Sequence, residues 1–400
     1  MATKKGVWNL QQVRDKQLQS LWDYAGMSNL FLWGHNDNGN LGQGASPGTL
    51  DSASSPVQVP GSWAAHYKGN MTNFATRTDG TAWVWGANGN GIFGTNQTSG
   101  ESYSPLQIGT DTTWSTAQGR YLAMNNQGCS AIKADGTLWW WGASTHGFDG
   151  TSNGSDTEAY RRSSPVQVGS DTTWARMASG YTTGANAAIK TDGTLWSWGY
   201  NQRGSTGLND RVNYSSPVQL PGTTWSTDPQ KFVLTGKGST LAIKTDGTLW
   251  AWGENEYGEL AQNNKTDYSS PVQIPGTTWK FVGGRDYIRN AIKTDGTLWA
   301  WGRNDNGSLG QNNVTQYSSP VQVPGTSWSY CQCFDYSNGQ GGMLATRTDK
   351  TLWMWGRNNY GELGQNNRTD YSSPVQIPGT DWSGETLTPG HRFVSCIQAD

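Results

Sequence analysis

Cys331 and Cys333 stand one residue apart, close enough to share a metal ion or to close a strained disulfide. A metal centre needs more ligands than these two. There is no second cysteine pair, and His35, His66, His146 and His391 are scattered along the chain. No metal and no cofactor are therefore expected. Cys129 and Cys396 fall next to "AIK"-type stretches where small apolar residues recur, so they read as core thiols. No histidine stands in a motif with Cys, Ser or a carboxylate that would support nucleophilic or acid–base chemistry. An Asp recurs in "TDG", but giving it a catalytic role would require several copies of one active site. The chain is read as a non-enzyme.

The 23 tryptophans raise a different chemistry, because exposed indoles stack on sugars. Their positions point to packing instead. Trp-Gly closes an alternating stretch at Trp33, Trp85, Trp141, Trp198, Trp252, Trp301 and Trp355, with spacings of 52, 56, 57, 54, 49 and 54 residues. Another Trp lies two residues upstream of the last six, and Phe31 takes that place in the first. A further set, Trp63, Trp114, Trp174, Trp225, Trp279, Trp328 and Trp382, closes each "SSPVQIPG"-like segment. Only Trp8, Trp22 and Trp140 fall outside this frame.

The elements that must position these residues can be read from one unit. "AIKT" is a short strand, and "DG" is a hairpin dipeptide whose two central residues are expected at positive φ. "TLWAWG" alternates, with Leu and Ala on one face and the indoles on the other. The Gly- and Asn-rich "NxxGxLGQNN" is turn chemistry. "SPVQIPG" is a strand whose prolines suit an edge, and "WKFVGG" (279–284) supplies a fourth. Four antiparallel strands repeated seven times predict an all-β, seven-bladed β-propeller.

"DGTLWAWGxNxxGxLG…SPVQIPG" resembles the repeat of the regulator of chromosome condensation family, a seven-bladed propeller. The resemblance runs from residue 27 to 400. The family's "GxxHTxAL" stretch is altered to "GKGSTLAIK" (236–244) and "GRDYIRNAIK" (284–293), without the His. The resemblance implies exchange-factor or inhibitor activity. In the family, chromatin binding depends on a basic tail, for which only Lys4 and Lys5 stand in here.

A propeller must join its last blade to its first, or two strand edges remain exposed. "FVSCIQAD" (393–400) aligns with the "AIKTD" half of a hairpin and "GMSNLFLWG" (26–34) with the "DGTLWAWG" half. Ser28, Leu30, Phe31 and Trp33 are therefore expected to pair with the strand carrying Cys396, Ile397 and Asp400, closing the ring through the two termini.

The 28 Lys plus Arg nearly balance 30 Asp plus Glu, so there is no basic stripe for nucleic acid. No apolar run approaches the roughly 18 residues that span a bilayer, so no membrane insertion is expected. Recognition is expected where a regular frame is interrupted. The third loop, "ASTHGFDGTSNGSDTEAYRRSSP", is the longest and most divergent, 23 residues from Gly142 to Pro165, and it carries His146, Arg161 and Arg162. Trp140 points opposite to Trp139 and Trp141. It fills a gap or forms part of a contact surface. Of seven N-x-Ser/Thr sequons, several, including Asn264, Asn313 and Asn367, recur at equivalent loop points and read as loop-capping residues rather than glycan acceptors.

Residues 1–25 match no blade, leaving 26–400 as the propeller domain. Asn9 is an N-cap candidate, and Val7, Trp8, Leu10, Val13, Leu18, Leu21 and Trp22 are spaced for a short helical or extended docking segment. The segment resembles the "GVWNL…" leader of structural proteins of tailed phages. That resemblance implies a virion component, a disc on the tail or capsid. Its partners would be other virion structural proteins and a host-surface glycan or protein. The alternatives are a cellular interaction propeller and a lectin-like propeller.

Overall fold

The computed structural model describes residues 30–36, 38–44, 52–69, 71–117, 121–124, 128–144, 146–151, 160–179, 185–228, 231–235, 238–334, 341–359, 363–379, 382, 388–389 and 394–395. The chain divides into two compact units, Met1–Ser144 with Ala159–Thr172, and Thr145–Glu158 with Thr173–Asp400. The docking segment 1–25 and the closure residues Ser28, Cys396, Ile397 and Asp400 lie outside the described residues.

In the first unit, β1 (Leu30–His35) pairs with β2 (Ser52–Val59), so Leu30, Phe31 and Trp33 sit on a strand. Two four-stranded antiparallel sheets follow. One is formed by β3 (Trp63–Lys68), β4 (Thr72–Arg77), β5 (Ala82–Ala87) and β6 (Glu101–Gln107). The other is β7 (Leu122–Met124), β8 (Gly128–Ile132), β9 (Leu138–Ser144) and β10 (Tyr160–Gln167).

The second unit repeats the same sheet four times, always in sequence order. The sheets are β11 (Trp174–Ser179) to β14 (Tyr214–Gln219), through β12 (Ala185–Lys190) and β13 (Leu195–Gly199); and β15 (Phe232–Thr235) to β18 (Tyr268–Ile274), through β16 (Ser239–Ile243) and β17 (Leu249–Gly253). Next come β19 (Trp279–Arg285), β20 (Ile288–Lys293), β21 (Leu298–Gly302) and β22 (Tyr317–Gln322). The last four are β23 (Trp328–Phe334), β24 (Gly342–Arg347), β25 (Leu352–Gly356) and β26 (Tyr371–Gln376). A short pair, β27 (Thr388–Pro389) with β28 (Val394–Ser395), follows.

The third strand of each four-stranded sheet carries the Trp-x-Trp-Gly stretch, which is buried except at its first indole. Leu298, Ala300 and Trp301 are all 0 % exposed, while Trp299 is half-buried. The outermost strand takes the proline. In β22 the register slips between Ala300–Val321 and Gly302–Tyr317. Pro320 therefore lies in a bulge on an edge, where no ladder N–H is required.

The Asp-Gly turn differs from the two-residue form expected from sequence. Only the glycine has positive φ, as at Gly296 (φ 80°). The Asp keeps negative φ because its carboxylate caps the turn. Asp295 Oδ1 accepts Thr297 N at 2.9 Å and Thr297 Oγ1 at 2.7 Å. The result is a four-residue turn followed by a left-handed glycine. In one sheet Lys350 (φ 61°) takes the glycine's place.

Candidate interaction surface

Each sheet carries the same cation between two indoles. Lys293 Nζ lies 4.7 Å from the Trp279 ring and 4.4 Å from the Trp299 ring, whose planes are nearly perpendicular at 79°. Arg77, Lys133, Lys190, Lys244 and Arg347 occupy the equivalent place in the other five four-stranded sheets. The second indole, here Trp299, also donates to its turn threonine (Thr297 Oγ1, 2.9 Å). Twelve tryptophans are thereby assigned to a structural module at the Asp-Gly end of the sheets, and the sugar-stacking role is not needed to explain them.

The remaining indoles of the repeat latch one sheet to the one before it. Trp252 Nε1 donates to Ser205 O at 3.0 Å, Trp301 to Glu259 O at 2.7 Å, and Trp355 to Ser308 O at 2.9 Å. A second latch lies at the opposite end of the sheets, where Trp279 N donates to Gly247 O at 3.1 Å. A Cβ on Gly247 would approach Thr277 O to 2.5 Å, which adds close contact to positive φ as the reason for that glycine.

The loops at the Trp-Gly end are organised by a buried asparagine. Asn255 accepts Leu260 N through Oδ1 (2.9 Å) and donates Nδ2 to Asn264 O (3.1 Å) and Thr266 O (2.9 Å). Asn304 and Asn358 repeat this arrangement. Asn264, Asn313 and Asn367 donate their amides to the neighbouring Tyr hydroxyls at 2.9–3.1 Å. A sequon Asn whose amide is already bonded in this way is a loop cap, as the sequence reading held.

On this fixed frame some positions change from sheet to sheet, and in the second unit they lie at the loop end. The residue before the loop glycine is Arg203, Tyr257 or Asn306. Arg203 pairs with Asp267 (3.2 Å), and Asn306 donates to Asp370 (3.1 Å). Tyr257 meets Tyr287 with ring centroids 4.5 Å apart and planes tilted by 54°, and the Arg303 guanidinium lies 4.9 Å from its ring and is bound to Asp305. Arg211, Lys265, Val314 and Arg368 occupy one equivalent, exposed position in four successive loops. Beside them, Asp267 and Asp370 are used internally, capping Asn255 N and Asn358 N.

One pair of variable positions is buried. Glu259 and Arg289 are 1 % and 0 % exposed, where the preceding pair of sheets has Ser205 with Thr240. Arg289 donates to Ser239 Oγ (2.5 Å) and Ile288 O (2.9 Å). Burial pushes the Glu259 carboxyl up to about 7, against the pull of the Arg289 charge.

The residues singled out from sequence do not converge. Trp140 is 3 % exposed and packs over Gly128, where a Cβ would come within 2.8 Å of its ring. It fills the space that glycine leaves and is a core residue, not a contact residue. Arg161 is exposed and Arg162 half-buried on β10 in the first unit. His146 belongs to the second unit and meets Tyr200 edge-on at 4.9 Å. Cys129, Cys331 and Cys333 are buried free thiols, and Asn290 donates to Cys333 Sγ at 3.2 Å. Among the described residues no group of three or more His, Cys, Asp or Glu is placed to hold a metal.

The regulator of chromosome condensation (RCC1) repeat matches residues 192–241, 246–283, 295–333 and 349–383. The chain is similar to the ultraviolet-B receptor UVR8 of Arabidopsis thaliana, 26 % identical over 86 % of this chain and 64 % of the relative. It is 35 % identical to human protein RCC2 over 24 % of this chain and 19 % of that one. It is also 26 % identical to the human E3 ubiquitin-protein ligase HERC2, over 63 % of this chain but 5 % of the ligase. The chain thus spans less than two thirds of the length of these relatives. Among solved structures, human WBSCR16 aligns with a TM-score of 0.71 at 19 % identity, covering 93 % of this chain and 100 % of that one. Prp20p of Saccharomyces cerevisiae aligns with a TM-score of 0.70 at 16 % identity, covering 98 % and 96 %. The chain has a β-propeller fold, with four stretches that match the RCC1 repeat.

Proposed function

We propose that this propeller is a non-enzymatic scaffold for protein partners, which it recognises through the loop end of its second unit. The observation that carries this reading is the division of labour among the repeats. Among the described residues of the four-stranded sheets, the recurrent turn Asp, Lys and Trp are consumed in turns, sandwiches and latches, while exposed residues that vary, Arg211, Lys265, Val314 and Arg368, stand in the loops. Variable loops on a rigid frame are the usual site of recognition. The similar proteins are in keeping with a protein partner: Prp20p of Saccharomyces cerevisiae has binding properties to Gsp1p and histones.

The test uses the full chain recovered from its native source with whatever co-purifies. Arg211, Lys265 and Arg368 replaced by Glu reverse three exposed charges without touching the frame. The partner retained by the parent chain should be lost from this variant, with unchanged melting. Full retention would overturn the loop-end assignment.

A particle-borne setting is the second reading. It draws on the leader resemblance of residues 1–25, while the relatives come from a plant and from vertebrates. Mass spectrometry of purified particles decides it. A fixed stoichiometry of this chain supports it, and absence removes it.

A further inference from the structure

In the sheets β11–β14, β19–β22 and β23–β26 the closing tryptophan is itself the first residue of the first strand. At Trp225 the chain behaves differently. Trp225 makes only an isolated bridge to Lys244, and β15 does not begin until Phe232. The intervening excursion is tied at both ends, by Ser226 N to Ile243 O (3.1 Å) and Ile243 N to Lys231 O (2.8 Å). Within it Asp228 N donates to Ser226 Oγ (3.2 Å), and Asp228 pairs with Lys231 at 3.6 Å. Ser226, Thr227 and Asp228 line one side of a groove of about 500 Å³, with Asp192 and Gly193 of the preceding sheet's turn also in its wall.

We infer that this groove is a binding site for a small, neutral, polyhydroxylated ligand of the sugar class. Its volume lies in the range of small-molecule sites. Six of its lining residues are hydroxyl-bearing, Thr191, Thr223, Thr224, Ser226, Thr227 and Thr245. The wall carries Arg176, Asp192 and Asp228, and Lys231, paired with Asp228 from outside the wall, brings the local charges into balance. Such a wall offers donors and acceptors in number and no net field, which disfavours phosphates and polycations. Trp225 is 2 % exposed, so it closes the floor and presents no ring face to an apolar peptide side chain. The site lies at the Asp-Gly end of the sheets, away from the loops proposed to bind protein, so the two assignments stand or fall separately.

Saturation-transfer NMR on the full chain tests this with glucose, galactose, mannose and N-acetylglucosamine, with inorganic phosphate titrated as a competitor. At least one sugar should show transfer that phosphate does not suppress. Thr224→Trp, which fills the groove from an exposed position, should weaken that sugar at least tenfold. Thr227→Trp, at a second exposed lining position, should do the same, covering the case where one variant fails to fold. No transfer to any sugar overturns the assignment. So does binding that survives both replacements, or a groove that takes phosphate in preference.

Discussion

Trp301 of one sheet donates its indole Nε1 to the Glu259 carbonyl of the preceding sheet at 2.7 Å. Equivalent bonds recur at Trp252 and Trp355, so this contact is the hinge pin of the repeat. It joins a fully buried donor to a fully buried acceptor. Trp301→Phe keeps most of the volume but leaves the carbonyl without its donor. A loss of about 1–3 kcal/mol is expected in urea unfolding. A loss within a few tenths would show that ring packing alone holds the sheets together.

The Lys293 sandwich gives a second prediction. Lys293→Met keeps the chain length and removes the charge between Trp279 and Trp299. Partly buried cation–ring contacts are worth roughly 0.5–2 kcal/mol. Lys293→Met should lose that much, and Lys293→Arg should retain most of it, since Arg77 and Arg347 already occupy the same place. Equal stability of the two variants would remove the cation from the account.

The turn aspartates set the acid limb. Hydrogen bonds from the turn threonines hold the carboxyls of Asp79, Asp135, Asp192, Asp246, Asp295 and Asp349 below their ordinary value. A carboxyl lowered by folding stabilises the fold above its unfolded pKa, and that stability is lost as pH falls through the folded one. Melting temperature should therefore drop progressively below about pH 4. Asp295→Asn can keep the turn but cannot titrate, so it should flatten the drop. An unchanged acid profile would contradict this.

Glu259 works in the opposite sense. Its carboxyl is raised in the fold to about 7, so the native state holds a proton that the unfolded chain releases. Its contribution is full below the unfolded pKa and lost as pH rises towards 7. Glu259→Gln should be more stable relative to the parent at pH 8 than at pH 4.5, by up to about 3 kcal/mol. If the difference between the two proteins is the same at both pH values, the Arg289 charge holds Glu259 ionised throughout.

Much of this was legible in the sequence, for a physical reason. The turn Asp-Gly, the Trp-x-Trp-Gly strand and the edge proline act through neighbours within a few residues, so each repeat announces its own hairpins. What was missed depends on contacts made at a distance. For Trp140 the sequence left a filled gap and a contact surface both open, and it is Gly128 across the sheet that makes room for it in the core. The cation before the turn is visible as "K-T-D-G" at Lys190, Lys244 and Lys293, but its place between two indoles needs the closing Trp from 14 to 19 residues upstream. The excursion after Trp225 can be seen as extra residues in "WSTDPQKF" against "WKF", although the groove it lines also requires the turn of the preceding sheet.

Hydrogen–deuterium exchange on the full chain, with and without the partner it brings from its source, tests the central claim most directly. The account predicts that binding slows exchange in the loop segments 201–213, 255–267, 304–316 and 358–370, while the Asp-Gly turns exchange as before. Protection confined to the Asp-Gly turns, with the loops unchanged, would contradict it.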